Sequence, residues 1–302
     1  MLTKEQAKKL ADRALSYSTC PECDIQLASS EQASIRFALN GITTSGSTIE
    51  QSIAITSVRD GRTGSTSTTE LSDVAVREAV KRSEELALIS PPNPERAAPL
   101  PPQKYPAEEN YAESTAQARN DVMIPHLRAI IEGAKKNNLV AAGFFERSAG
   151  AMAVANKAGN FGFGRVTDSR LSTTVRAPDG SSSGWASQPA VRIGEIDGAA
   201  IAKSAIEKCL SWKAAKRLDP GNYTVVLEAT AVGDLVQLSA GFLARAAEEG
   251  RSVLSKKGGG TLLKEKLFPE WVTLRTDPFH KLYSSLPWGA SELPAEPISA
   301  RG

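Results

Sequence analysis

Residues 91–106 contain Pro91, Pro92, Pro94, Pro99, Pro101, Pro102 and Pro106. Each proline fixes φ and removes a backbone donor, so neither a helix nor a central strand runs through such a density. The segment is expected to be an extended linker that divides the chain. On its N-terminal side, a Thr3-x-x-Gln6 capping signal opens a helix with Ala7, Leu10, Ala11, Ala14 and Leu15 on one face. From Asp24 to Thr69 the chain alternates polar and apolar residues and breaks at Asn40-Gly41 and Asp60-Gly61, which are hairpin turn signals. Ser72 then caps a helix whose apolar side is expected to include Val74, Ala75, Ala79 and Leu86.

Beyond the prolines the same order returns. Ile124, Leu127, Ile130, Ile131 and Ala134 mark one helix face, with Pro125 in its first turn or at a kink. Residues 139–189 alternate again, with turn points at Asn156, Gly159 and Asp179-Gly180, and Asp197 opens a helix bearing Ala202, Ala205, Ile206, Cys209 and Leu210. Asn40 lies 20 residues before Asp60 and Asn156 lies 23 before Asp179, each followed by an amphipathic helix. This reads as an internal duplication in which each half makes a sheet with one apolar face covered by its helices, giving two α+β layers.

At Pro220-Gly221 the pattern changes. Tyr223 to Leu227 reads as a short strand, Asp234 as the cap of a helix with Leu235, Leu238, Phe242, Leu243 and Ala246 inward and Gly250 at its end, and Trp271 to Leu274 as another strand. The expected fold class is therefore α+β: two duplicated helix/antiparallel-sheet units followed by an incomplete, mostly antiparallel β domain. The boundaries fall at 1–90 for the first unit, 91–114 for the linker, 115–218 for the second unit and 219–302 for the start of the C-terminal domain.

With 302 residues, 41% of them hydrophobic and 23% charged, the chain can bury a core, which excludes disordered, collagen-like and coiled-coil classes. Only 6% are aromatic, so small aliphatic residues must supply most of that core. A net charge of +2 gives no clustered footprint for nucleic acid. The N-terminal MLTKEQAKKLADRAL has no apolar h-region, and no apolar run approaches the length of a bilayer span. Three cysteines, Cys20, Cys23 and Cys209, are too few for a disulfide framework. A cytoplasmic protein without membrane or nucleic-acid partners is expected.

No motif demands chemistry. Cys20-Pro21-Glu22-Cys23 has the spacing of half a zinc ribbon, but Cys209, His126 and His280 supply no second half, so a helix-to-strand turn is the expected reading. A thioredoxin-type pair would follow a strand and open a helix, the reverse of the order here. Gly180-Ser181-Ser182-Ser183-Gly184 matches the nucleophile elbow in letters, yet it lies between two strands and reads as a hairpin turn. Gly159 to Gly164 opens no helix and so lacks a phosphate-binding terminus. Lys256-Lys257-Gly258-Gly259-Gly260 lacks the G-K-[ST] signature, and Arg59-Asp60-Gly61 and Glu248-Glu249 read as a turn and a solvated helix end. No catalytic, cofactor-binding or metal-binding residue is assigned, and substrate-binding residues are left unnamed.

The duplicated halves, the Arg59-Asp60-Gly61-x-x-Gly64 turn and the stretch Pro220-Gly221-Asn222-Tyr223-Thr224-Val225-Val226-Leu227 occur together, with Gly250-Arg251-Ser252-Val253-Leu254 and Phe268-Pro269-Glu270-Trp271-Val272-Thr273-Leu274 beyond them. In this combination the chain resembles the TldD/PmbA family, and within it the PmbA branch, also called TldE. The resemblance implies a subunit of a cytoplasmic heterodimeric zinc protease that cleaves unfolded or small peptides inside a closed cavity. The catalytic branch carries H-E-x-x-x-H on the helix after the Pro-Gly-Tyr strand, two imidazoles holding zinc and the glutamate acting as base. The matching stretch here, Leu238-Ser239-Ala240-Gly241-Phe242-Leu243, has no ligand.

The resemblance thus implies a noncatalytic subunit with no cofactor of its own, zinc residing in a TldD-like partner and the peptide in a shared cavity. The alternative is a self-standing peptide-binding or scaffolding module. An independent hydrolase using Ser182 or the cysteine pair is expected to be ruled out by absence of activity. The family has also been called a modulator of DNA gyrase, which the charge distribution does not support. Family members continue past Ile298-Ser299-Ala300-Arg301-Gly302, so the chain is expected to be truncated at its C-terminus.

Overall fold

The computed structural model describes residues 1–106, 110–212, 216–239, 244–289 and 291–301. Helix α1 (Lys4–Tyr17) leads into β1 (Glu22–Ala38), β2 (Gly41–Arg59), β3 (Arg62–Thr68) and α2 (Asp73–Ile89). After the proline-rich segment come α3 (Glu113–Ala116), α4 (Asn120–Lys136), β4 (Val140–Asn156), β5 (Phe161–Arg176), β6 (Ser183–Ala190) and α5 (Gly198–Ser211). Helices α6 (Ala229–Ser239) and α7 (Ala244–Glu248) and strands β7 (Thr273–Thr276) and β8 (Ile298–Arg301) follow. The mixture of helices with antiparallel sheet is the α+β class.

Local chemistry accounts for most of these boundaries. Thr3 and Gln6 close a capping box on α1, Thr3 Oγ1 accepting from Gln6 N at 3.2 Å and Gln6 Oε1 from Thr3 N at 2.9 Å. Ser72 accepts from Ala75 N, and Asp197 from Ala199 N and Ala200 N, capping α2 and α5. The hairpin turns carry left-handed residues at Asn40 (φ 59°), Asp60 (φ 52°) and Gly61 (φ 70°). The face of α2 is rotated from the expected one: Val76, Ala79, Val80, Ser83 and Ala87 are buried, whereas Val74 is 71% exposed. Pro125 sits in the second turn of α4 without ending it.

The two halves do not close separate sheets. They contribute three strands each to one antiparallel sheet in the order β3-β2-β1-β4-β5-β6, joined where β1 runs against β4 from Asp24↔Asn156 to Phe37↔Gly143. The cause is strand length. Seventeen residues span roughly 55 Å, more than one pair of helices can cover.

Accordingly, the first part of β1 (Cys23, Ile25, Leu27) packs under α1 and α2 with Ile53, Ile55, Val76 and Val80. Its last part (Ala33, Ile35, Phe37) enters the other core, with Leu127, Ile130, Phe145, Leu171, Ile206 and Cys209 of the second half. Strand β4 reciprocates by sending Ala153 and Ala155 into the first core. Each half therefore lacks a complete core without the other. Phe37, fully buried, is the largest side chain lent across, and its truncation to Ala would cost about 3–5 kcal/mol.

Both halves seat their second helix by the same device. Gly64 of β3 lies against Ser83 and Ala87 of α2, and Gly184 of β6 against Ala205 and Cys209 of α5, so close that a Cβ would stand 2.1 Å from the Ser83 and Ala205 carbonyl oxygens. The proline-rich segment is tied to the sheet rather than free: Asn93 N donates to Gly61 O, Asn156 Nδ2 to Leu100 O and Gln103 N to Asn160 Oδ1.

By its internal contacts the chain forms two units, Met1–Ala214 with Asp277–Pro297, and Ala215–Thr276 with Ile298–Gly302. In the second unit the expected strand Tyr223–Leu227 has no regular secondary structure, since among the described residues no strand pairs with it. Asp234 lies within α6 rather than capping it, because helix formation begins earlier at Ala229-Thr230-Ala231. Gly250 (φ 75°) does follow the end of α7, donating to Ala247 O. The expected strand at Trp271–Leu274 is displaced to β7, which pairs with β8.

Candidate functional site

The stretch that the catalytic branch of the resembled family uses for zinc lies in the second unit, at Pro220-Gly221 and α6. Tyr223 folds back so that its hydroxyl donates to Asp219 O at 2.7 Å, and Val232 N donates to Glu228 O at the start of α6. The helix reads ATAVGDLVQLS, whose single ionisable side chain is Asp234. Of the expected ligand-free stretch Leu238–Leu243, residues 240–243 lie outside the described residues, as do the side chains of Leu238 and Ser239.

The surface here is apolar. Val226 is 99% exposed and Trp271 83%, and Tyr223, Val225, Leu235, Val253 and Leu263 are exposed as well, whereas Ala247 is buried.

The described residues do not fit a metal ion. No three His, Cys, Asp or Glu side chains among them come together to hold one. Cys20 lies in the expected turn from α1 into β1 and Cys23 at the start of β1, both buried, and burial pushes both thiols up, away from the thiolate a metal requires. His126 Nδ1 accepts from Gly198 N at 3.2 Å while its ring meets Phe145 edge-on, and His280 Nδ1 accepts from Leu282 N. Both imidazoles are engaged in local structure. No step through zinc is therefore assigned to this chain.

Glu84 organises the turn that Cys20 occupies. Its carboxylate accepts from Ser18 Oγ, Thr19 N, Thr19 Oγ1 and Cys20 N at 2.6–3.0 Å. Burial alone would raise its pKa, but the hydrogen bonds to Thr19, Cys20 and Ser18 outweigh it and hold the carboxyl below its ordinary 4.5. A lowered folded pKa means that the folded state binds this proton less tightly than the unfolded chain. The resulting stability is fully present above pH 4.5 and is lost as pH falls through the lowered value. Glu84→Gln should therefore lower the denaturation midpoint at neutral pH, and its deficit relative to the parent should shrink as the pH falls below 4.5. Urea titrations at several pH values check this; a deficit independent of pH would contradict it.

A second polar arrangement lies where the two halves meet. Arg147 of β4, 4% exposed, donates through Nε to Ala118 O at 3.0 Å and through Nη2 to Glu31 of β1 at 2.6 Å, leaving Nη1 buried without a hydrogen-bond partner among the described residues. Around it the helix-covered face of the sheet changes from large aliphatics to Ser29, Ala149, Ala151, Thr167 and Ser169. Sequence patterning missed this pair because an Arg at an inward strand position looks like a break in alternation.

The remaining motifs are placed as follows. Ser182 lies in the β5–β6 turn with its Oγ 3.3 Å from Cys209 Sγ and no imidazole beside it. Gly159 (φ 91°) turns the β4–β5 hairpin. In the Lys256–Gly260 loop, Lys256 N donates to Gly260 O and Lys256 Nζ pairs with Glu265, so this lysine is already neutralised. Arg59 leads into the turn at Asp60-Gly61 and reaches Thr19 Oγ1, and Glu249 pairs with Arg245 and Arg251. Among the described residues no helix is long and apolar enough to cross a membrane.

Two family models match the chain: PmbA/TldA metallopeptidase domain 1 over residues 23–87, and the PmbA/TldA metallopeptidase C-terminal domain over 220–298. No curated protein matches it. Among solved structures, a candidate modulator of a DNA gyrase from Thermotoga maritima superposes with a TM-score of 0.82 at 18% identity, over 97% of this chain and 68% of that one. TldE from Thermococcus kodakarensis gives 0.79 at 18%, over 97% and 66%. A candidate modulator of DNA gyrase from Bacteroides thetaiotaomicron gives 0.83 at 20%, over 99% and 70%. At these identities the structures show a shared fold, and the chain spans about two thirds of their length.

Proposed function

The chain belongs to the PmbA/TldD metallopeptidase family, and from that premise we propose that it is the noncatalytic, TldE-like subunit of a heterodimeric zinc peptidase. One observation carries the reading: between Glu228 and Gly250, where the catalytic branch needs two imidazoles and a glutamate on one helix, the sequence contains no histidine or cysteine. Zinc and the hydrolytic base then belong to a TldD-like partner. This chain contributes the wall of the cavity, and the exposed apolar groups at Tyr223, Val226 and Leu235 are the surface that the partner would cover. Unfolded or small peptides are the proposed substrates and the cytoplasm the proposed compartment.

Coexpression with a family member carrying H-E-x-x-x-H tests the assignment. The expected result is a stable complex in size-exclusion chromatography, with peptide cleavage that requires both chains. Failure to associate under crosslinking would overturn it.

A second reading, a self-standing peptide-binding module, is favoured by the free edge of β2. Strand β3 pairs only with Ile53–Arg59, so residues 41–52 have one neighbouring strand among the described residues, and Glu50 is their single charge. Such an edge accepts an extended chain by strand addition. Retention of an unfolded peptide by the isolated chain, with no complex formed, would favour this reading.

A further inference from the structure

A cavity of about 400 Å³ lies between the proline-rich segment and the β4–β5 hairpin, a size that accepts a small ligand. Its walls include Lys4 of α1, Gln103, Lys104 and Tyr105 of the segment, and Phe161 and Phe163 of β5. The Tyr105 ring is fixed in place. It approaches β5 at Gly162, where a Cβ would stand 2.7 Å from its Cε2. Its hydroxyl donates to Glu292 O at 2.8 Å and accepts from Asn160 Nδ2 at 2.9 Å, and the ring meets Trp288 with centroids 5.4 Å apart.

Two ammonium groups, those of Lys4 and Lys104, line this cavity, with the Glu5 carboxylate acting on Lys4 and that of Glu292 on Tyr105. Among the described residues no Asp or Glu lines it, and Lys4 and Lys104 join none of their ion pairs. A third lysine, Lys8, holds its Nζ 5.5 Å from the centre of the Phe161 ring while pairing with Asp12. Ammonium groups that form no ion pair attract an anion, and the phenyl faces favour an apolar body. An inorganic anion would leave the aromatic walls unfilled. A neutral arene would leave the two lysines without a partner.

We propose that this cavity binds a carboxylate carried on an aromatic or branched apolar body, the chemistry shared by free aromatic acids and peptide C-termini. The carboxylate meets Lys4 and Lys104, and the body packs against Phe161, Phe163 and Tyr105. The proposal does not depend on the zinc assignment, since every residue in it lies within the first unit.

Calorimetric titration of the full chain with the tripeptide Gly-Gly-Phe, its C-terminal amide, phenylacetate and inorganic phosphate tests it. The expected order places at least one carboxylate about tenfold tighter than the amide and the phosphate. Tighter tripeptide would identify the peptide terminus as the source, and tighter phenylacetate the free acid. The double substitution Lys4→Gln/Lys104→Gln, at two exposed positions, should weaken that ligand about tenfold with an unchanged melting temperature. Phe163→Ala should weaken it with both lysines intact. No heat of binding from either carboxylate, an amide that binds as tightly as the acid, or affinity untouched by the lysine substitutions would overturn the proposal.

Discussion

Gly64→Ala and Gly184→Ala are each expected to destabilise the protein by about 3 kcal/mol, lowering the melting temperature by roughly 10 °C. A methyl group at either position would stand 2.1 Å from a helix carbonyl oxygen, and the next nearest atoms are backbone nitrogens, of Ala87 at 2.3 Å and Cys209 at 2.6 Å. Backbone cannot swing aside as a side-chain terminus can, so α2 or α5 must lift from the sheet and uncover its part of the core. Gly46→Ala serves as the control: Gly46 has nothing within 4 Å of its Cβ position and should melt like the parent. Similar losses at 64 and 184 would show that the duplicated halves share one helix-seating geometry. A parent-like melt for both would refute it.

The second large effect concerns Glu31 and Arg147, and its asymmetry is the point. Glu31→Ala removes the carboxylate paired with a guanidinium that is 95% out of water, stranding a buried charge at a cost of about 3 kcal/mol. That is the lower end of the usual range because the Glu31 side chain is itself 33% exposed, so solvent already screens the pair. Arg147→Met instead leaves a carboxylate that can turn to water, and the methionine fills much of the vacated volume, so the loss should be less than half as large. The double variant should recover part of what Glu31→Ala alone loses. Urea denaturation of the three proteins measures this, and an Arg147→Met loss equal to or larger than that of Glu31→Ala would contradict it.

How far these features were legible in the sequence depended on their range. Thr3, Ser72 and Asp197 act within three residues of themselves, and each caps the helix that its position foretold. Turn residues Asn40, Asp60 and Gly61 likewise fix their hairpins by their own left-handed backbone. The fusion of six strands into one sheet was not legible, because Ile35 and Phe37 carry the same alternation as Ile25 and Leu27 while belonging to a different core. Periodicity reports which face is buried and is silent about what buries it.

Val74 was misplaced for a related reason: an apolar residue in the first turn of α2 fits the helical pattern, but the close approach of β3 at Gly64 rotates the buried face toward Ser83 and Ala87. Tyr223–Leu227 has the composition of a strand, yet a strand exists only with a neighbour, and none among the described residues pairs with it. The cavity beside Tyr105 joins residues more than 150 positions apart, from Lys4 to Phe163, so no local pattern announces it.

On the proposed function, this chain works beside a zinc centre without holding one. The most direct test is elemental analysis of the purified full chain after equilibration with zinc and removal of the free ion. The expected result is no stoichiometric metal, with zinc appearing only when a partner carrying H-E-x-x-x-H is bound. About one zinc per chain in the isolated protein, abolished by substituting residues of this chain, would contradict it.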